Sequence, residues 1–342
     1  MQKKIVFSVN GFSRRGTEVA IYDYAYFNET ILGNTSYIIY SLENNAKHET
    51  HDDEVFKKFK TQFDDRMSGY SSHDDAQSII DEIKPDCIYF LRAGKQDHEL
   101  YNGYRNAIHV VFDYYKPYGD DYFYISEYLA RKRGKFRSSY VPHIIHMPEV
   151  NTDLREKLGI PKDATVVGRY GGATTFDLTF VHEAITEAVQ EDENLYILFA
   201  NTNKFFDHPR VIHLDPIYTL EEKATFINTC DAYLHARSEG ETFGLAIAEF
   251  HILGKNVLTS KSKKDNAHLD ILGDECYLYH DKSSCKKLLF NAKSLPKKNY
   301  DVYKQFSPEK VMQIFNEVVI EEKQYLPTAQ NLYQNFLKMI FQ

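Results

Sequence analysis

The stretch Arg237-Ser-Glu-Gly-Glu-Thr-Phe-Gly-Leu-Ala-Ile-Ala-Glu249 decides how this sequence is interpreted. It follows a predicted strand over residues 231–236, passes through a loop that contains glycine, and enters a helix predicted to begin near Phe243. The first amides of a helix are unpaired and lie at the positive end of its dipole, so they suit a phosphate group. Gly244 leaves room for a ligand to approach the backbone. We therefore expect an anion site at this junction.

Two glutamates frame the junction, with seven residues between them. Glu241 stands just before the predicted helix, and Glu249 lies about two turns inside it. The deeper carboxylate can accept hydrogen bonds from ribose hydroxyls, and the one in the loop can face a sugar beyond a diphosphate. The alternative is a strand–loop–helix unit with an acidic N-terminus and two solvated glutamates.

The rest of the chain alternates short apolar segments with longer amphipathic ones, which is typical of α/β proteins with parallel sheets. Strands are predicted in the first half at 4–9, 37–41, 87–91, 109–113 and 139–145, and in the second half at 165–169, 195–200, 210–214, 231–236 and 255–260. Residues 146–163 contain two prolines and a glycine and break this alternation, so we interpret them as a linker. Ligands of such sheets bind at the carboxyl ends of the strands, so we expect the site between two domains.

The segment Glu241–Glu249 resembles the donor-site motif of the retaining glycosyltransferases of family 4, also called glycosyl transferases group 1, which have the GT-B fold. That motif is Glu, a small residue, Phe-Gly, four mostly apolar residues and Glu, and this sequence fits it. The resemblance implies an α/β protein with two facing Rossmann-like domains, parallel sheets and an inter-domain cleft. The implied boundaries are 1–147 for an acceptor-side domain, 148–306 for a donor domain, and 307–342 for C-terminal helices that cross back to the first domain.

The resemblance also implies an activity. The enzyme would move a sugar from a nucleotide-diphosphate donor, UDP- or GDP-linked, to a hydroxyl of a carbohydrate or glycoconjugate acceptor, with retention and without a metal or a cofactor. Glu249 would hold the ribose, and Glu241 would bind sugar hydroxyls and help to stabilise positive charge at the anomeric carbon. The other donor-binding positions that the motif implies are Thr242, Phe243, Gly244 and Leu245. Two alternatives stay open: a nucleotide-sugar epimerase of the same fold, and a catalytically degenerate protein that binds a glycan or a partner.

A second stretch, Thr165-Val-Val-Gly-Arg-Tyr-Gly-Gly172, fits the same resemblance. It places Arg169 at the end of a predicted strand, where the resemblance implies contact with the donor diphosphate, a role that suits a planar and always charged guanidinium. Many family members carry a lysine a few residues later, whereas this chain has Thr174 there. The second cation is therefore missing, and backbone amides and the hydroxyls of Thr174 and Thr175 are expected to serve instead.

A third stretch, Gly11-Phe-Ser-Arg-Arg-Gly-Thr-Glu18, follows the first predicted strand. In the family, a glycine-rich loop at this place faces the donor phosphates and the acceptor, and Gly16 is the best match for it. Arg14 and Arg15 would add positive charge there. A simple turn with solvated arginines explains the same residues equally well.

The first-domain catalytic residue is sought in Ile108-His-Val-Val-Phe-Asp113, because many family members have a histidine at the end of a strand in this region. His109 opens the predicted strand and Asp113 closes it. Since ligands meet the carboxyl ends of parallel strands, the geometry favours Asp113 as the catalytic residue. His109 is then a packed or surface histidine.

Composition excludes several other classes of protein. A length of 342 residues suggests two domains, and a net charge of −8 argues against nucleic-acid binding. Four scattered cysteines predict neither a disulfide framework nor a cysteine zinc site, and His143 with His146 lacks a third ligand nearby. No apolar run could span a bilayer and no secretory signal is present, which predicts a cytoplasmic protein. The basic clusters 131–135 and 261–264 leave peripheral membrane contact open, as homo-oligomerisation also stays open.

Overall fold

The computed structural model describes residues 2–13, 16–47, 51–96, 100–135 and 137–328. The chain divides into two compact units. The first contains Met1–Ile144 and the segment from Phe306 onwards, and the second contains Ile145–Gln305. Each unit is built on its own parallel sheet of six strands.

The first unit alternates strands and helices along the chain. Its strands are β1 (Lys4–Val9), β2 (Thr35–Ser41), β3 (Met67–Tyr70), β4 (Cys87–Arg92), β5 (Asn106–Val110) and β6 (Asp121–Tyr124). Its helices in this segment are α1 (Gly16–Thr30), α2 (Leu42–Asn45), α3 (Asp53–Phe63), α4 (His73–Ile83) and α5 (Glu127–Lys132). The strand order is β3-β2-β1-β4-β5-β6, and every pairing is parallel.

The second unit repeats this plan. Its strands are β7 (Thr165–Tyr170), β8 (Leu195–Ala200), β9 (Val211–Leu214), β10 (Ala232–Leu234), β11 (Gly240–Glu241), β12 (Asn256–Thr259), β13 (Asp265–Asn266) and β14 (Tyr277–Leu278). Its helices are α6 (Thr179–Glu191), α7 (Leu220–Thr229), α8 (Leu245–Ile252), α9 (Ala267–Leu272) and α10 (Lys282–Asn291). The main sheet has the order β14-β12-β10-β7-β8-β9, and β11 and β13 form a small parallel pair beside it.

The central strands form because most of their residues are apolar, as expected for a parallel sheet covered by helices. All six residues of β7 are buried, and its neighbours β8 and β10 are nearly so. After the second unit, α11 (Pro308–Phe315) continues into a π-helical turn, Asn316–Ile320, and Phe315 stacks on Tyr24 of α1 in the first unit. No helix in the described ranges is long and apolar enough to cross a membrane.

Three predicted boundaries were wrong. Residues 139–145 form only one bridge, Tyr124 to Tyr140, because Pro142 has no amide hydrogen to extend a ladder. Strand β5 ends at Val110, opposite the last residue of β4, so Asp113 lies three residues beyond the strand. Helix α8 begins at Leu245 and not at Phe243, because Gly244 has a φ of +98°, outside the helical region.

The small β11–β13 pair depends on a glycine. Gly240 has a φ of +69°, and a Cβ atom there would lie 1.7 Å from the carbonyl oxygen of Asp265 on β13. No side chain fits at that distance, so only glycine permits the pairing of Gly240 with Asp265 and of Glu241 with Asn266. This pairing sets the position of Glu241.

Replacement of Gly240 by alanine should therefore destabilise the second unit strongly. Gly159→Ala is a matched control: Gly159 has a φ of +65°, but its Cβ would meet no heavy atom of the described residues within 4 Å. We expect the control to lose about 1 kcal/mol of unfolding free energy from backbone strain, and G240A to lose at least about 2 kcal/mol more. Urea unfolding of both variants measures the difference, and equal losses would show that the β11–β13 contact is not needed.

Candidate functional site

The carboxylate of Glu241 lies at the edge of the second unit's sheet, one residue before the turn that leads to α8. Its Oε1 is 3.3 Å from Nε2 of His235, and its Oε2 accepts a hydrogen bond of 3.1 Å from Arg237. Burial alone would raise the pKa of Glu241, but the contact with His235 and the charge of Arg237 outweigh that effect and lower it. Glu241 is therefore an ionised carboxylate at neutral pH.

His235 belongs to a polar cluster that sequence reasoning missed. It directly follows β10, and its Nδ1 lies 2.9 Å from the hydroxyl of Thr259, the last residue of the adjacent strand β12. The same hydroxyl lies 3.2 Å from Nε2 of His268 in α9. The carboxyl ends of β10 and β12 thus bring His235 and Thr259 together, and α9 adds His268 to them behind Glu241.

Arg169, near the end of β7, is buried, with 4% of its surface exposed. Its guanidinium donates to the hydroxyls of Thr202 and Thr175 and to the carbonyl of Gly172, and it makes no salt bridge among the residues that the structure describes. Burial lowers the pKa of Arg169, yet an arginine stays protonated in such a site. Its positive charge is therefore balanced by no direct carboxylate partner.

The expected role of the neighbouring threonines needs a correction. The hydroxyl of Thr175 accepts from Arg169 at 2.7 Å and donates to the carbonyl of Gly172 at 2.9 Å, so its hydrogen bonds are already used. Thr175 orients the guanidinium of Arg169 and does not itself offer a donor. Thr174 is exposed.

A carboxylate joins the loop after β7 to the loop after β10. Asp177 accepts hydrogen bonds from the backbone amide of Ser238 at 2.7 Å and from its hydroxyl at 2.6 Å, and its own amide donates to Ala236. The loop that carries Arg237 and Glu241 is therefore held against the loop that follows Arg169. Arg169 lies within electrostatic range of both of those side chains.

The N-terminus of α8 completes this region. Gly244 precedes the helix and, as a glycine, has no side chain that could cap the first amides. A Cβ at Gly244 would lie 3.6 Å from the Cβ of Glu241, so the helix start and this carboxylate are neighbours. Thr242 and Leu245 are partly exposed at the turn, whereas Phe243 is buried. The helix-start amides and the charge of Arg169, which has no direct carboxylate partner among the described residues, together can hold an anion.

Glu249 lies inside α8 with 6% of its surface exposed. Its Oε1 accepts from the ammonium of Lys223 on α7 at 2.8 Å, and its Oε2 accepts from the hydroxyl of Tyr170 at the end of β7. A carboxylate has about four acceptor positions, so lone pairs remain on both oxygens after these two hydrogen bonds. The spacing of the two glutamates predicted Glu249, but it did not predict Lys223 or Tyr170.

In the first unit, Asp113 is held by two cations at the end of α5. Its Oδ1 accepts a hydrogen bond from Nε of Arg133, and its Oδ2 accepts one of 2.7 Å from Nη2 of the same guanidinium. Oδ2 also lies 3.1 Å from the ammonium of Lys132. Burial raises the pKa of Asp113, but these two cations outweigh it and hold the pKa below its ordinary value. Asp113 is thus ionised, and both of its oxygens are engaged.

His109 is packed into the core of the first unit, as the packed alternative predicted. Its Nδ1 bonds the hydroxyl of Tyr89 at 2.5 Å, and its ring lies 4.7 Å from that of Phe123. Burial lowers its pKa well below the ordinary value, so it stays neutral. It therefore has no access to a ligand at this position.

Among the described residues, the remaining ones that the sequence suggested contribute no further contacts to the site. Gly16 is the exposed first residue of α1, and Arg14 and Arg15 lie outside the described residues. His143 is buried, and burial lowers its pKa to about 3. No cluster of three or more metal-ligating side chains occurs within the described part of the chain.

No family model matches this sequence. No curated protein matches it either.

Comparison of structures gives clear matches. HepE from Anabaena, solved in complex with UDP and glucose, has a TM-score of 0.65 at 12% identity, over 93% of this chain and 100% of its own. A glycosyltransferase from Rickettsia africae has a TM-score of 0.63 at 12% identity, over 92% and 94%. A putative UDP-N-acetylglucosamine 2-epimerase from Listeria monocytogenes has a TM-score of 0.58 at 10% identity, over 95% and 98%. The two parallel six-stranded α/β units have the GT-B fold, so the predicted fold class is confirmed.

The buried pair of Glu249 and Lys223 yields a stability prediction. Lys223→Met leaves the Glu249 carboxylate buried without its cation, which should cost about 3 kcal/mol or more of unfolding free energy. The double variant K223M/E249Q removes both charges and should recover a large part of that loss. Lys282→Met is the control, because Lys282 pairs with Glu187 on an open surface and should change stability little. A K223M variant as stable as the control would contradict a buried pair.

Proposed function

We propose that this protein is a retaining glycosyltransferase that uses a nucleotide-diphosphate sugar as donor and needs no metal or cofactor. The observation that carries the proposal is the buried guanidinium of Arg169, which has only neutral partners among the described residues. A buried charge without a direct partner of opposite charge is costly, so this guanidinium favours an anion as its partner. The amides at the start of α8, which Gly244 cannot cap, are the second group that favours a phosphate nearby.

The donor would lie along the junction of β11 and α8. Its diphosphate would contact Arg169 and the amides of residues 243–245, and its ribose would bind to the remaining lone pairs of Glu249. The sugar hydroxyls would bind to Glu241, whose negative charge also favours the positive charge that develops at the anomeric carbon. Stabilisation of the departing diphosphate by fixed cations and amides is the main catalytic contribution in this scheme. Similarity to HepE, which was solved with UDP and glucose, supports a nucleotide-sugar donor.

The acceptor side belongs to the first unit in this proposal. Asp113 is the catalytic candidate there and would accept a hydrogen bond from the acceptor hydroxyl as an ionised carboxylate, whereas Gly16 of the same unit is proposed to contact the donor. The acceptor is proposed to be a carbohydrate or glycoconjugate. The basic residues near 131–135 would allow that acceptor to be presented at an anionic membrane surface.

The epimerase and the degenerate binding protein are the alternatives. An epimerase would convert the nucleotide sugar without an acceptor, and a degenerate protein would bind a ligand without turnover. Product analysis by NMR separates all three, because transfer with retention yields the donor's anomeric configuration in a new glycoside. The Listeria neighbour keeps the epimerase as the first alternative to test.

Nucleotide binding should depend on Arg169. We expect UDP or GDP at about one hundred times its Kd to raise the Tm by several degrees, since such saturation adds about 2.7 kcal/mol to the native state. Arg169→Met should keep or raise the Tm without ligand, because it removes a buried charge, and should lose most of the nucleotide response. Arg210→Met, elsewhere in the same unit, is the control and should respond like the wild type. No response of the wild-type Tm to either nucleotide would refute the proposed donor site.

The role of Asp113 can be separated from its ion pairs. Asp113→Asn removes the charge, whereas Arg133→Met keeps the carboxylate and leaves Lys132 beside it. If Asp113 contacts the acceptor hydroxyl, D113N should lower kcat about 100-fold and R133M only slightly. Equal losses of kcat and Tm in both variants would show that Asp113 only anchors the end of α5.

A further inference from the structure

Glu241 is held from two sides, and each oxygen of its carboxylate has its own partner. Arg237 donates to Oε2 from the same loop, where it is also 3.8 Å from Glu239 and partly exposed. His235 approaches Oε1 from the end of β10 and is buried, with 3% of its surface exposed. Oε1 of Glu241 lies within ion-pair distance of Nε2 of His235, and this nitrogen has no partner with full hydrogen-bonding geometry among the described residues.

The other side of His235 is also fixed. The hydroxyl of Thr259 lies between Nδ1 of His235 and Nε2 of His268, and the two imidazole rings are 4.7 Å apart. The carbonyl of His235 accepts a hydrogen bond from the hydroxyl of Tyr279. These contacts leave His235 little rotational freedom, so Nε2 stays directed at Glu241.

The direction of the hydrogen bonds follows from the chemistry of the groups. A carboxylate only accepts, so Nε2 of His235 must carry a hydrogen to bond Glu241. A hydroxyl has one hydrogen, so Thr259 can donate to one histidine only and must accept from the other. A chain from Nε2 of His268 through Thr259 to Nδ1 of His235 gives the hydroxyl and these two ring nitrogens matching donor and acceptor roles, with one proton on each ring. Each N–H or O–H group in this series of hydrogen bonds then donates in the direction of Glu241.

We propose that His235 is a positioning residue for Glu241: supported by Thr259 and His268, it holds one carboxylate oxygen in place so that the remaining lone pairs face the hydroxyls of the donor sugar. This inference rests on the proposed function for the sugar, but the arrangement of the side chains does not. The motif Glu241–Glu249 contains none of these three residues, so they define a separate support for its first glutamate.

The contact with His235 also affects the ionisation of Glu241. The charged and titratable groups that face this carboxylate are His235, Arg237, His268, Arg169, Tyr233 and Tyr303. Burial lowers the pKa of His268 to about 3, so it contributes as a neutral ring at physiological pH. Loss of the His235 donor should raise the pKa of Glu241. Activity that needs the ionised carboxylate would then be lost at a higher pH on the acid side.

Two substitutions of His235 separate its two nitrogens. In His235→Gln, the longer side chain can place an amide N–H near the Nε2 position and donate to Glu241. In His235→Asn, the shorter amide reaches only the Nδ1 position and keeps the contact with Thr259. We expect H235N to lower kcat/KM for the donor at least tenfold and to move the acid limb of the pH profile to higher pH. H235Q should retain most of the activity and the wild-type acid limb.

His251→Asn is the control for loss of a buried histidine. His251 lies in α8 against the rings of Tyr300 and Tyr303, and it is not part of the proposed machinery. The H251N variant should have a lower Tm but an unchanged acid limb of the pH profile. Equal losses in H235N and H235Q, or the same acid-limb shift in H251N, would overturn the inference.

A measurement on the protein without ligand distinguishes failure of this inference from failure of the proposed function. Long-range proton–nitrogen NMR should show a hydrogen on Nε2 of His235 in the wild type, and Thr259→Val should weaken its protection from exchange. A hydrogen absent from Nε2 would overturn the positioning role even in an active enzyme. If this hydrogen is present but the protein neither binds nor transfers a nucleotide sugar, the arrangement around Glu241 is retained. Positioning of a donor sugar is then refuted.

Discussion

The described site depends on the contacts that His235 and Arg237 make with the carboxylate of Glu241. Removing a carboxylate from water is unfavourable unless hydrogen bonds and opposite charges replace the solvent, and here His235 and Arg237 do so. Those partners reach it only because β11 pairs with β13, and that pairing exists only because Gly240 has no side chain. A backbone constraint therefore determines where the negative charge lies.

Charge is distributed unevenly in this protein. The net charge of −8 disfavours polyanions in general, yet the edge of the second sheet holds the buried guanidinium of Arg169 and the uncapped amides of α8. The negative charges of Glu241 and Glu249 each form an ion pair with a nearby cation, Arg237 and Lys223 respectively. Arg169 differs from these cations in having no carboxylate partner among the described residues, which makes it the natural contact for a small anion.

The alternation of apolar and amphipathic segments was sufficient to predict two parallel α/β domains, because a buried parallel strand needs an apolar run. The motif also predicted the place of Glu241 and Glu249, but it placed the start of the helix two residues too early because of the positive φ of Gly244. It could not predict His235, Thr259 and His268, since they meet through the order of β10 and β12 and the packing of α9, and not through sequence spacing. One signal was available: polar residues that end neighbouring strands meet at one edge of the sheet. For Asp113, the sequence placed the strand end three residues too late and gave no sign of its two cations.

The most direct test of the central claim is a crystal structure of the protein with a bound nucleoside diphosphate. We expect phosphate oxygens within hydrogen-bonding distance of the Arg169 guanidinium and of the backbone amides of residues 243–245, with the ribose hydroxyls at Glu249. A nucleotide bound elsewhere, with Arg169 still contacting only Thr175, Thr202 and Gly172, would contradict it.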